Sequence, residues 1–354
     1  MYFPNADVVV HPALLVFLGV IVGMLGGFFG VGGGFLITGG LLVFGVPPVY
    51  AVGTGLTLVM GTSIINTFKH RSLGNVDFKL GALMVTGTIP AIFLAEWVNS
   101  GLEAAGIAGP VIRYVYVGFL SVLGLFILYD YWRISPMRSQ RRGGGSEQIS
   151  TLALTHRVRS LRIPPHWIGI PGVGRVETYV SLPVSGIERI SVFVPMGIGF
   201  GIGFIAGMLG AGGGFILMPV LIFVLGIPTT IAIGTDLFQI IITGSVGSFA
   251  YALSDRVDPM MAVLMLAAAS IGSQLGASAT RRIEPSRIRF LYGLLILTGA
   301  VAVALEEVSQ AVPGAGFLSA VASTVLLGSG GGMCLLLLGL MARARERGQE
   351  SQGH

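Results

Sequence analysis

Asp236 is an acid in an unusual place. It sits near the start of a long apolar run, directly after Gly234-Thr235, and Gln239 follows one helical turn later. A carboxylate inside a membrane-length segment is costly, and such residues usually line a pathway or relay protons. A carboxylate near a helix start is also favourable to the helix dipole without any further role. Gln239 would lie on the same helix face and share any cavity there. A second Gly-Thr pair, Gly53-Thr54, stands in the first half of the chain. The Thr54 and Thr235 hydroxyls could bond a substrate oxygen, or equally a backbone carbonyl one turn back, as hydroxyls in membrane helices often do.

Two glycine triplets, Gly32–Gly34 in "FFGVGGGFLITGG" and Gly212–Gly214 in "MLGAGGGFILMPV", interrupt apolar segments and are each followed by Phe. A glycine costs about 1 kcal/mol relative to alanine in a helix interior, so three in a row read as a deliberate break. Non-helical backbone in hydrocarbon is tolerated only where protein covers it or water and substrate reach it. Transporters use such breaks to aim the positive ends of short helices at an anionic substrate. The amides of Gly32, Gly33, Gly34, Gly212, Gly213 and Gly214 would then form anion sites that need no basic side chain. The alternative is close helix packing, which is the better reading for Gly23, Gly27, Gly203 and Gly207.

Other polar residues carry weaker signals. Thr62, Ser63, Asn66 and Thr67 in the first half, and Thr243, Ser245 and Ser248 in the second, read mainly as interhelical glue, with Asn66 the best candidate for a site. Gln274 could face a pore or a neighbouring helix, and Glu96 beside Trp97 reads as an interfacial anchor. Enzyme chemistry finds little support: the chain has no Walker motif and no HExxH, and its five histidines are scattered. Neither a catalytic role, a metal nor a cofactor is expected. The single Cys334 excludes an intrachain disulfide.

Composition dictates the elements that position these residues. Of 354 residues, 53% are hydrophobic and only 10% charged; the mean hydropathy is +0.85. A soluble domain carries about 25% charged residues, so this chain cannot cover itself with a solvated surface. An all-α polytopic integral membrane protein follows, since apolar runs approach the roughly 20 residues that cross a bilayer. The net charge of +5 comes from Arg and Lys in the loops. That placement suits cytoplasmic loops rather than nucleic acid, for which no role is expected. With no Lys or Arg before its first apolar stretch, the chain is expected to keep that stretch as a membrane span.

Two apolar runs, 12–46 and 192–226, are roughly 35 residues long, too long for one crossing, and hold the triplets near their middles. Each reads as a helix, a break and a short second helix. "GVPPVYAVGTGL" (Gly45–Leu56) matches "GIPTTIAIGTDL" (Gly226–Leu237), in register with the triplets and with Val76-Asp77 against Val257-Asp258. The chain is therefore duplicated. We read 1–132 as a first membrane repeat, 133–190 as a partly disordered cytoplasmic linker and 191–306 as a second repeat. Residues 307–342 are an added C-terminal span and 343–354 a cytoplasmic tail. Five helical pieces per repeat place the arginine-rich linker, "RRIEPSRIR" and "RARER" on one side, which favours inverted repeats over parallel ones. The second pieces, near 34–46 and 215–226, are only about 12 residues, or roughly 18 Å of helix, and either span or re-enter.

"GFFGVGGGFLITGGLLVFGVPP…AVGTGL" and "GMLGAGGGFILMPVLIFVLGIPTTIAIGTDL", with "GNVDFK" after the first, resemble the sulfite exporter TauE/SafE family, also called the 4-toluene sulfonate uptake permease family. The resemblance covers roughly 12–129 and 192–305; the long linker departs from compact members. It implies a multi-pass permease of the cytoplasmic membrane for sulfite, sulfonates or related small anions. It points to Gly32–Gly34, Gly212–Gly214, Thr54, Thr235 and Asp236. The expected function is a secondary transporter with its site between the breaks, lined by Thr54, Thr235, Asn66 and Gln239, where Asp236 gates the anion or carries a coupling proton. The expected partners are the anion and the lipid bilayer, with the oligomeric state left open. The alternatives are a non-transporting membrane scaffold that docks through its linker, or an anion channel.

Overall fold

The computed structural model of the protein describes all residues except 72–75, 135–157, 160–166, 171–173, 280–284, 313 and 351–354. Among the described residues, the first half contains α1 (Pro12–Phe29), α2 (Gly34–Val43), α3 (Pro48–Arg71), α4 (Phe78–Ala104) and α5 (Ala108–Tyr129). The second half repeats this order as α6 (Phe193–Leu209), α7 (Gly214–Phe223), α8 (Thr229–Leu253), α9 (Pro259–Ala279) and α10 (Pro285–Ala311). A final helix, α11, spans Phe317–Glu350. Eight of these helices are long and apolar enough to cross a membrane. Large apolar side chains on their outer faces are exposed, among them Phe93, Leu125, Val263 and Leu335. In water such a surface would be an aggregation hazard; against lipid it is the expected one. The protein is a multi-pass membrane protein.

The expected helix–break–helix units are present, with α2 and α7 only ten residues each. α1 ends at Gly30 in the left-handed conformation, its amide donating to the Gly26 carbonyl; α6 ends the same way at Gly210, whose amide donates to Ala206. Gly32 and Gly33 (φ 66° and 76°) and Gly212 and Gly213 (φ 68° and 84°) also occupy the left-handed region. A side chain there costs about 1–2 kcal/mol, which accounts for two glycines of each triplet.

Equivalent helices of the two halves pack on one another. α3 runs antiparallel to α8: Thr57 Oγ1 lies 2.7 Å from Ser248 Oγ, Gly53 lies against Tyr251, and Met60 against Gly244. α5 runs antiparallel to α10, with Arg113 paired to Glu307 (3.0 Å) and Gly124 against Leu297. The non-equivalent pairs α1–α9 and α6–α4 run in the same direction. Gly19, Gly23 and Gly27 meet Met265, Ala269 and Ser273 in order, and Gly199, Gly203 and Gly207 meet Met84, Thr88 and Ala95. Gly23, Gly27, Gly203 and Gly207 are therefore packing glycines, as their spacing suggested.

The linker assignment, 133–190, falls largely on residues outside those described. Within it, β3 (Trp167–Ile170) pairs with β4 (Gly174–Glu177), and β5 (Tyr179–Leu182) with β6 (Ile187–Ser191). The β5–β6 hairpin packs against the helices: Leu182 and Ile190 are fully buried and belong to the main hydrophobic core. Ser185 donates to Asp77 Oδ2 (2.6 Å), at the start of α4. A hairpin of β1 (Tyr2–Phe3) and β2 (Val8–Val9) precedes α1 in the same way, and Asn5 donates to the Val257 carbonyl (3.1 Å) before α9. Each half thus begins with a hairpin that rests on the Val-Asp segment of the other half.

Candidate functional site

The two breaks meet backbone to backbone at the centre of the protein. A methyl group on Gly34 would overlap the Ala211 carbonyl oxygen, and one on Gly214 would lie 2.8 Å from the Val31 carbonyl oxygen. The third glycine of each triplet is therefore required by the other break. Val59 of α3 and Ile240 of α8, equivalent residues in the repeat, lie against both Gly32 and Gly212. In α2 the first amides to reach a backbone carbonyl are those of Leu36 and Ile37, both on Gly33; in α7 they are those of Ile216 and Leu217, both on Gly213. The triplet amides precede them, as expected of helix starts whose first donors have no partner within the helix.

Thr54 and Thr235, both fully buried, do something the sequence did not suggest. Thr235 Oγ1 accepts from the Asp77 amide (3.0 Å), and Thr54 Oγ1 accepts from the Asp258 amide (2.9 Å). Each Asp then caps its own helix, through Leu80 and Met261 (both 3.0 Å). The Gly-Thr pair of one half thus holds the Val-Asp cap of the other. Removing either hydroxyl strands a buried amide, which costs about 1–3 kcal/mol. Thr54→Val and Thr235→Val should lower the thermal midpoint of the purified protein by similar amounts, read by unfolding in detergent.

The remaining polar residues divide into those already satisfied and those without a partner. Thr62 donates to the Gly32 carbonyl (2.9 Å) and Ser248 meets Thr57 (2.7 Å), as glue between segments. Thr243 and Ser245 instead donate to the Gln239 (3.0 Å) and Ile241 (2.7 Å) carbonyls one turn back in their own helix and join no neighbour through those bonds. Gln239 donates from Nε2 to Thr88 Oγ1 (2.5 Å), while its Oε1 has no partner. Glu96 is not a simple anchor: it binds Arg256 (2.8 Å), which also pairs with Glu103 (2.6 Å). Asp236 is 0% exposed and Asn66 1% exposed, and neither has a hydrogen-bond partner for its side chain; nor do the hydroxyls of Ser63, Thr67, Ser273 and Tyr292. No Lys, Arg or His is among the buried polar residues of the described chain. No group of three His, Cys, Asp or Glu suited to a metal occurs among the described residues.

The sequence profile of the sulfite exporter TauE/SafE family matches residues 15–303, which contain both breaks and every candidate residue above. The chain belongs to that family. Among curated relatives, it is 23% identical to the probable membrane transporter proteins YunE and YjnA of Bacillus subtilis. These matches cover 80% and 81% of this chain, and 94% and 97% of the relatives. It is also 23% identical to the probable membrane transporter protein MJ0441 of Methanocaldococcus jannaschii, over 80% of this chain and 91% of the relative. No solved structure matches significantly. Membership of this family makes the protein a membrane transporter.

Some residues of this TauE/SafE member escaped sequence reasoning. Gln274 was the candidate in α9, yet Gln274 is exposed on the outer face and its neighbour Ser273 is fully buried. The helical phase of Gly272 and Gly276, which pack on Val20 and Met24 of α1, was the available signal. Tyr292 lies within an apolar run and had no local marker; it packs on Phe29 (5.2 Å) and Phe35 (6.2 Å) of the first break unit. The side chains of Lys69, His70 and Arg71, and of Arg281–Arg289, lie outside the described residues.

Proposed function

We propose that this protein is a secondary transporter that moves a small sulfur-containing anion, such as sulfite or an organosulfonate, across the cytoplasmic membrane. The observation that carries this reading is the meeting of two broken helices inside a shell of apolar helices, with Asn66 and Asp236 buried and unpartnered beside them. A protein interior leaves such groups without partners only where something else satisfies them. Helix starts aimed into the same region favour an anion. Antiparallel packing of α3 on α8 and α5 on α10 supports inverted repeats, the arrangement in which transporters place their substrate at the repeat interface. The linker and the C-terminal tail are then cytoplasmic, by the arginine bias of the loops.

Asp236 is the group that exchanges a proton during transport. The other buried acids with assigned bonds each accept at least one, unlike Asp236: Asp77 and Asp258 cap helices, and Glu306 accepts from Gln310 (3.0 Å). The test is flux of radiolabelled sulfite and of an alkanesulfonate into proteoliposomes, with and without a pH gradient. Saturable flux accelerated by the gradient supports the reading. No flux of any anion in the panel sinks it, and flux that never saturates identifies a channel.

A further inference from the structure

Duplication made the two breaks alike in backbone, but the side chains around them have diverged. Around the second break the exposed carbonyls are closed by side chains. Tyr251 donates to the Gly207 carbonyl (3.0 Å), Asn99 Nδ2 to Met208 (3.1 Å) and Thr38 to Gly210 (3.0 Å). Around the first break Thr62 donates to the Gly32 carbonyl (2.9 Å), but Ser63, Asn66 and Ser273 beside it have side chains that bond to nothing in the protein. A methyl group on Gly32 would lie 2.6 Å from Ser63 Oγ, and one on Gly27 would lie 3.0 Å from Asn66 Oδ1 and 2.6 Å from the Ser273 carbonyl. Ser63, Asn66 and Ser273 are 0%, 1% and 0% exposed, and none of their polar side-chain atoms has a partner.

The repeat register makes the contrast sharper. Ser63, Asn66 and Ser273 correspond to Gly244, Gly247 and Ile92 in the other half, and Asp236 corresponds to Gly55. Asp236 also belongs to the first break. Ile233, one turn before it on α8, lies against Gly30.

We infer that the substrate binds at the first break alone, held by Ser63, Asn66, Ser273 and the Gly32–Gly34 amides, while the second break is a structural strut. This rests on the transporter reading and says where its site lies. The site supplies hydroxyl and amide donors and no cation, so its ligand is a compact oxyanion with several oxygen acceptors. It recognises that anion through hydrogen bonds and the start of α2 rather than through an ion pair. The side chains at the second break carry no ligand.

The test is binding of sodium sulfite and sodium methanesulfonate to the detergent-purified full chain by isothermal titration, alongside the melting temperature without ligand. Ser63→Ala, Asn66→Leu and Ser273→Ala should each weaken binding about 10-fold or more, the loss expected for one hydrogen bond to a charged group. Asn66→Gln should recover part of it. At the second break, Tyr251→Phe and Thr38→Val should shift melting and leave affinity within about 2-fold, far less than one such bond. Equal losses of affinity at both breaks would overturn the assignment and leave the transporter reading standing. First-break variants that melt lower but bind like the native protein would overturn it too. No binding and no flux with the native protein would end both.

Discussion

Gly34→Ala should destabilise the protein by about 3 kcal/mol or more, at the upper end for added volume in a packed interior. Its methyl group would overlap the Ala211 carbonyl oxygen. Both partners are backbone, held by α2 on one side and by the left-handed turn at Gly210–Gly213 on the other. Neither can swing away as a flexible side chain would. The control is Gly101→Ala in α4, where nothing lies within 4 Å of the added methyl. There alanine should be neutral or stabilising by up to about 1 kcal/mol, its helix-propensity advantage. Gly33→Ala should fall between them, because it combines a φ of 76° with a methyl group 2.9 Å from the Val22 carbonyl. Thermal unfolding of the three purified variants in one detergent gives the order. If Gly34→Ala melts with the native protein, the breaks do not touch as described.

Asp236→Asn should abolish the acceleration of anion flux by a pH gradient while leaving anion exchange at equal pH in place. Asparagine keeps the size of the side chain and removes its proton exchange. When ionised, Asp236 repels an anion at the first break; asparagine does not. Binding of methanesulfonate, whose own charge is constant across this range, should therefore lose its pH dependence in the variant and persist at the alkaline end, where the native protein binds less. Proteoliposome flux across imposed gradients, together with titration of binding between pH 5 and 9 (a span set on the order of the usual carboxylate and histidine ranges), reads both effects. Native and variant proteins with the same flux under every gradient would remove Asp236 from the coupling step.

Glu96, Arg256 and Glu103 illustrate a different kind of position. They form a partly buried network in which Ser254 also donates to Glu96 (2.8 Å). Arg256 occupies the segment between α8 and α9, beside the Thr54–Asp258 contact. Removing one member of such a network leaves a charge poorly paired. Arg256→Ala should lower the melting temperature without changing anion affinity.

Much of the architecture was legible in the chain itself. Low charge and membrane-length apolar runs leave few options other than helices in a bilayer. The register of glycines, Pro, Gly-Thr and Val-Asp revealed the duplication and the two breaks. Glycine spacing foretold close packing along α1 and α6, because residues four apart share a helix face; it did not say which helices they would meet. These features are local or periodic, so a linear pattern carries them.

What only the tertiary structure decided depends on residues brought together from opposite halves. Nothing near Thr235 says that its hydroxyl holds the Asp77 amide, since the bond joins repeats that meet only after folding. The division of labour within each triplet is equally invisible: two glycines serve left-handed backbone, and the third serves the other break. Ser273 and Gln274 are neighbours in sequence but point into and out of the bundle. Side-chain direction on an all-apolar helix follows its packing partners rather than its own pattern. The sequence by itself established two broken helices in a duplicated membrane protein; their contact and their unequal surroundings arise only when both halves pack around them.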